Sequence, residues 1–416
     1  MVASVRQLEA RFNGRVTHQY DWVFFNNEGF TDEFKMAMAN ATSSRCFFEL
    51  IPAEHWSIPS WIDVTRFDVG RQFMGGIGVG KAWLQSYHHM CRWNAGIFAL
   101  EERLADYDWF WRVEPAVQYS CDINYDVFRF MRDNNMAYGF NMAILDDARS
   151  FPSLWERTKT FIDKNEDLVD EDADFNWLLH TTEEQDRVMH SPGGLEASVK
   201  DGEYNNCQFY SNFEIGSLDF FRGKEHRTYF DHLDKAGGFY YERFGDAPVH
   251  TLSVSMFLPK RRIWFFRDIG YAHGLCEQCP PHERKSFLEP ELHGGVQARA
   301  VDLRNRHEAM PAAEPEKDSG NHHRRWTVLA QDVERQKGIP ALSCGCTVSA
   351  IDSNNAKLVP YESKQRKPSD PCIRKFLGGK WLVKRKKSDL SSDTEIVAGG
   401  DDPGYILDGR EGNPFR

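Results

Sequence analysis

No stretch of this 416-residue chain approaches the ~20 consecutive apolar residues that a membrane-spanning helix needs. Its longest wholly apolar runs are a few residues, such as Ile263 to Phe266. The first residues, Met1 to Ala10, carry Arg6 and Glu9 and contain no apolar signal core. Taken literally, that reads as a soluble chain that is not secreted. Positive charge is also short. Lys and Arg number 51 against 62 Asp and Glu, a net charge of −11. A general nucleic-acid binder is expected to be basic, so that class is disfavoured. There is no internal repeat. The glycines between Gly75 and Gly80 lack the GKS/T ending and the preceding strand of a phosphate loop, and read as a plain loop.

Cysteine is sparse and unpatterned. The nine residues are spread out and odd in number, with only Cys276/Cys279 and Cys344/Cys346 close together. A zinc site built from these would have C-x-C where a second C-x-x-C is expected, across a long gap, so disulfides or plain thiols fit better. An oxidising compartment is left open.

What is present is apolar and aromatic. Hydrophobic residues make up 41% and aromatics 13%, enough for a large core and for ring-stacking sites that suit the apolar faces of sugars. The dense texture lasts to about Pro280, then turns polar and proline-rich to about Pro340. The expected organisation is a main domain over 1–282, a polar linker or disordered insertion over 283–343, an extension over 344–384 and a disordered tail over 385–416. Within the first part, helical and strand patterns alternate. Val5, Leu8 and Phe12 keep helical spacing, and helices are expected from Ser86 to Cys91, Tyr125 to Arg132, Leu154 to Lys164 and Leu218 to Leu233. Buried strands are expected at Trp22 to Phe25, Cys46 to Ile51, Asp108 to Val113, Ala137 to Phe140 and Ile263 to Phe266. Such alternation predicts an α/β layer architecture with a mixed, largely parallel sheet, whose sites lie where strands end in loops.

Five segments carry candidate chemistry. In Trp111-Arg112-Val113-Glu114-Pro115-Ala116, an acid follows an aromatic strand, where it could hold Mg²⁺ or Mn²⁺ against a diphosphate, with Arg112 near phosphate. A loop carboxylate simply paired with Arg112 explains the spacing more economically. Glu214, in Tyr210-Ser211-Asn212-Phe213-Glu214-Ile215, suits a nucleophile or an oxocarbenium stabiliser. On spacing alone, the acidic first turn of a helix capped by Ser211 or Asn212 is the more economical account. The segment Tyr241 to His250 crowds Glu242, Arg243, Asp246 and His250 into a loop with Gly245 and Pro248, with a salt-bridged turn as the plainer account. His273 follows the last buried strand and is placed to be a ligand or an ordinary surface residue. Tyr87 and Arg92 flank His88-His89, which cannot share one helical face, and could read a base or a phosphate.

Read as strings, these segments resemble one family. YDWVFFNNEGFTDEFK, IPAEHWSIPSWID, SYHHMCRWNAGIF, YDWFWRVEPAVQYSCDINYDVF, FYSNFEIGSLDFFR and GGFYYERFGDAPVHTLSVSMFLPKRRIWFFRDIGYAH look like the fungal α-1,2-mannosyltransferases of glycosyltransferase family 15, in order and spacing over about residues 4 to 282. The piece from Cys344 to Leu382 is similar to the C-terminal extension of some members. The resemblance implies a GT-A-type fold, GDP-mannose as donor, Mn²⁺ as cofactor and transfer with retention to a terminal mannose of N- and O-linked glycans. It implies Glu114 and His273 as metal ligands and Glu214 as the proposed nucleophile. Tyr87 matches an active-site tyrosine near donor and acceptor. Asp246 and His250 match a motif read as substrate-binding, and Arg92 and Arg112 are assigned there too. It also implies a Golgi membrane protein acting on the lumenal side, anchored by a segment absent from this sequence. Mannosylphosphate transfer, which the family also contains, and a truncated glycan-binding relative without activity are the alternatives. Two departures stand out. Some members carry an acid two residues after the metal glutamate, where this chain has Ala116. The helix at Val5 also starts after the point where the family places a first strand of the nucleotide-binding sheet.

Overall fold

The computed structural model describes residues 1–15, 19–180, 202–266, 268–274, 276–279, 371–377, 382–384 and 405–407. The expected linker at 283–343, most of the extension and most of the tail lie outside the described residues. Along the chain run α1 (Val2–Leu8), β1 (Trp22–Asn26), α2 (Asp32–Ala39), β2 (Cys46–Leu50), α3 (Val64–Gly76), α4 (Gln85–Arg92), β3 (Trp109–Trp111) and β4 (Gln118–Tyr119). Then come α5 (Val127–Asp133), β5 (Tyr138–Phe140), β6 (Ala143–Leu145), α6 (Leu154–Lys164), β7 (Cys207–Phe209) and β8 (Glu214–Ser217). These are followed by α7 (Leu218–Arg222), α8 (Lys224–Lys235), α9 (Gly238–Tyr241), α10 (Asp246–Phe257), β9 (Ile263–Phe265), β10 (Tyr271–His273), β11 (Cys276–Gln278), α11 (Pro371–Leu377), β12 (Leu382–Lys384) and β13 (Tyr405–Leu407).

The central sheet has four strands in the order β3-β8-β5-β9. β8 runs antiparallel to both neighbours, and β5 runs parallel to β9. β1 and β2 form a separate parallel pair, Trp22 opposite Cys46, joined through α2. The sheet is therefore mixed as expected, with fewer parallel pairings than the alternation of elements suggests. Strand alternation divides the core. Tyr138, Phe140, Ile263 and Phe265 face one apolar cluster, while Ile215, Trp264 and Phe266 face the other. Gly216 leaves room on β8: a Cβ there would come within 2.6 Å of the Phe110 ring.

Local chemistry sets several boundaries. Thr31 Oγ1 caps α2 by accepting from the Phe34 N–H at 3.2 Å, and Asp63 caps α3 by accepting from the Arg66 N–H at 3.0 Å. The single helix expected from Leu218 to Leu233 is two helices, because Gly223 takes an extended conformation that ends α7 and opens α8. Residues 246–250, read from sequence as part of a loop, begin α10, which runs to Phe257. Every residue of α10 except Ala247 is buried, so it shows no polar face to announce it. Glu214 lies in a strand and not at a helix start. At the far end, α11 returns to the main core. Cys372 is bridged to Cys207, and the Phe376 ring meets Phe140 at 5.0 Å and Phe209 at 5.3 Å.

Candidate active site

The site forms where β3 and β8 end beside the start of α10. Beyond Trp111, the Arg112 N–H donates to the Glu214 carbonyl oxygen at 2.9 Å, extending the strand pairing by one step. Arg112 and Glu214 are thereby neighbours, and α10 lays Asp246 and His250, one turn apart, against both. Arg112 holds three carboxylates. Its Nε donates to Glu114 Oε1 at 2.7 Å, its Nη1 bonds Asp246 Oδ2, and the same Nη1 lies 3.6 Å from Glu214 Oε1.

Glu214 is 1% exposed. Its Oε2 accepts from the Tyr138 hydroxyl at 3.0 Å and faces His250 Nδ1 at 2.9 Å. Among the described residues, Oε1 has only the longer contact with Arg112, at 3.6 Å. Asp246 also accepts from Ser211 Oγ at 2.8 Å. Burial alone would raise the Asp246 carboxyl, but Arg112 and then His250 outweigh it and hold it below its ordinary 3.8. Burial alone would lower His250, yet the Glu214 carboxylate, with Asp246 behind it, carries it above 6.5. Tyr138 is pushed well up by burial and then by Glu214, so it stays a proton donor.

Glu114 lies in the loop after β3, and His273 comes from a different strand. His273 stands at the end of β10, which pairs with β4 through Tyr271 and Tyr119. Burial lowers its pKa while Glu114 pulls the other way, and its buried Nδ1 has no hydrogen-bond partner among the described residues. A neutral imidazole with an orphaned nitrogen beside a carboxylate is a fitting pair of ligands for a hard or borderline divalent cation. Among the described residues no cluster of three or more His, Cys, Asp or Glu could hold a metal alone. Two protein ligands suit a cation that completes its shell with diphosphate oxygens and water.

The remaining expected residues are spread. Tyr87 lies between two cations, Lys81 Nζ at 5.0 Å and the Arg243 guanidinium at 5.7 Å from its ring, and burial keeps its hydroxyl protonated. Lys81 also contributes to lowering His273, so the surroundings of Tyr87 reach toward His273. Arg92 is elsewhere: it forms a buried two-pronged ion pair with Asp234, at 2.7 and 2.9 Å, linking α4 to α8. Tyr138 as a partner of Glu214, Ser211 as a partner of Asp246 and the cations around Tyr87 are not apparent in the sequence. The Tyr138–Glu214 contact spans 76 positions, and no local spacing encodes it. Cys121 and Cys279 are both disulfide-bonded, so Cys279 is not available to a zinc knuckle.

The family model for glycolipid 2-alpha-mannosyltransferase matches residues 1–289. The chain belongs to this family. It is 43% identical over 280 residues to glycolipid 2-alpha-mannosyltransferase 1 of Candida albicans, covering 67% of this chain and 60% of that protein. It is 41% identical over 280 residues to alpha-1,2 mannosyltransferase KTR1 of Saccharomyces cerevisiae, covering 67% of this chain and 66% of that one. The chain thus spans about two thirds or less of these relatives. Among solved structures, core-mannan synthase A of Aspergillus fumigatus, in its Mn/GDP form, superposes with a TM-score of 0.61 at 38% identity, covering 72% of this chain and 77% of that one. The mannosyltransferase Ktr4p of S. cerevisiae in complex with GDP gives 0.62 at 35% identity, covering 68% and 70%. The family member shares their GT-A-type α/β fold, and the relatives' names mark it as a glycosyltransferase family.

Proposed function

We propose that this chain is a retaining α-1,2-mannosyltransferase that moves mannose from GDP-mannose to a terminal mannose of an N- or O-linked glycan. The observation that carries the reading is Glu214: a buried carboxylate whose Oε2 is bonded by Tyr138 and His250 and whose Oε1 lies 3.6 Å from Arg112, the guanidinium it shares with Glu114. Glu114 and His273 would hold Mn²⁺, which supplies charge to neutralise the departing diphosphate. The Mn/GDP form of the Aspergillus relative supports that assignment.

The chain's own residues supply the rest. Arg112 and Asp246 hold the end of β3 against α10, so Glu114 and Glu214 keep a fixed separation on either side of the reacting carbon. Glu214 bears negative charge where positive charge develops at the anomeric carbon, either attacking it or stabilising it while the acceptor enters from the face the diphosphate leaves. Tyr87, with its proton retained, is a hydrogen-bond donor at the rim. The described half-cystines Cys121, Cys207, Cys279 and Cys372 support action in an oxidising compartment, in keeping with the lumenal side of a Golgi membrane.

Incubation with GDP-mannose, Mn²⁺ and methyl α-mannoside tests the reading. The expected product is larger by one neutral hexose, and Glu214→Gln lowers kcat by about 10³-fold or more while GDP binding persists. An acidic phosphodiester product would instead identify mannosylphosphate transfer. Full transfer by Glu214→Gln would remove Glu214 from the reaction.

A further inference from the structure

His250 projects from α10 into a closed space, its side chain 1% exposed. Its Nε2 lies 2.9 Å from the carbonyl oxygen of Asn94. A carbonyl only accepts, so Nε2 carries a proton. Its Nδ1 lies 2.9 Å from Glu214 Oε2, which already accepts from Tyr138 at 3.0 Å. With one donor already on that oxygen and a buried carboxylate to satisfy, the second proton belongs on Nδ1.

The groups facing His250 agree. Asp246 stands one turn before it on α10, Arg112 comes from the end of β3 and Glu214 from β8. His226 of α8 is 5.9 Å away between ring centroids, and the Phe98 and Phe221 rings complete the wall. His226 bonds Ser253 Oγ at 2.7 Å and the Ala95 carbonyl at 3.0 Å, partners that a neutral ring satisfies. Burial first, and His250 next, drive it well below its ordinary 6.5. Of the two adjacent histidines, one is neutral and one charged. Charge balance asks for the same thing. Glu114, Glu214 and Asp246 all gather around the single guanidinium of Arg112, and a second buried cation offsets the excess.

We propose that His250 is a buried imidazolium that pairs with Glu214 Oε2 and fixes the orientation of that carboxylate, which makes it a positioning residue for glycosyl transfer and not a substrate-binding one. This rests on the reading of Glu214 given above. Loss of the His250 proton to solvent would set its Nδ1 lone pair against Oε2, so Glu214 would swing away, and transfer would fall on the alkaline side.

Two measurements test it. Long-range ¹H–¹⁵N spectra of the labelled wild-type chain, bound to Mn²⁺ and GDP near neutral pH, read the ring directly. The signal is assigned by its absence in His250→Gln or by contacts to the Phe98 and Phe221 rings. Both ring nitrogens are expected to be protonated, and a neutral tautomer overturns the proposal. His250→Gln, which keeps a donor but no charge, is expected to lower kcat about 10- to 100-fold. The donor KM should stay within about threefold and the alkaline limb should disappear. Unchanged kcat in that variant, or a loss seen only in KM, overturns the proposal. If the variant does not fold, the wild-type spectra decide. A wild-type chain that transfers nothing refutes the reading of the site and the positioning role with it. One that transfers with a neutral His250 refutes this proposal alone.

Discussion

The backbone N–H of Arg112 donates to the carbonyl oxygen of Glu214 at 2.9 Å, so the loop carrying Glu114, the proposed metal ligand, and the strand carrying Glu214, the proposed reacting carboxylate, are held in a single register. Glu114 lies two residues beyond that bond, and its carboxylate is drawn back by the same Arg112 side chain. A change on either strand is therefore felt on the other.

The metal side follows first. Glu114→Gln and His273→Ala should each weaken Mn²⁺-assisted GDP binding by about tenfold or more, and a chelator should mimic both. Calorimetric titration of GDP with and without Mn²⁺ reads this. Either variant binding Mn²⁺ and GDP like the wild type would move the ligand elsewhere.

Arg92 is expected to behave as a structural residue. Its ion pair with Asp234 is buried on both sides, so Arg92→Met strands a buried carboxylate and should cost about 3–5 kcal/mol of stability. Denaturant titration measures the loss. Below the unfolding range the variant should still bind GDP, and a folded variant that does not would place Arg92 in the binding site.

Ala116 holds a backbone φ of +61°, the left-handed region that side chains with a Cβ rarely adopt. It is exposed, so no packing compensates. Ala116→Gly or Ala116→Asn should raise stability by up to about 1 kcal/mol, seen as a higher unfolding midpoint. A lower midpoint in both would show that φ is not the controlling feature there.

The bridge between Cys207 and Cys372 closes a loop with a sequence separation of 165 and anchors α11 on the central core. Cys372→Ser should cost about 2–5 kcal/mol. Unfolding should then become insensitive to reductant at that step. No change in midpoint would mean that the Phe376 packing suffices.

Much of the scaffold was legible in the sequence because its strands are short, aromatic and bounded by turn residues. Trp22–Asn26, Cys46–Leu50 and Ile263–Phe265 fall where the patterns place them. The α10 helix was not legible, since apolar residues on every side erase the helical period and Pro248 in its first turn reads as a loop marker. Glu214 was misplaced because Phe213-Glu214-Ile215 is short, and only pairing with β3 and β5 makes it a strand. The site's acids and histidines could each be singled out from the chain. Which of them touch could not, because Arg112 and Asp246 meet across 134 positions and His250 and Glu214 across 36.

The most direct test of the account is the anomeric configuration of the first product formed from GDP-mannose, followed by ¹H NMR with Mn²⁺ and methyl α-mannoside. The account predicts an α-1,2-linked disaccharide, with the donor's α configuration kept. A β-linked first product would show inversion and contradict the role given to Glu214.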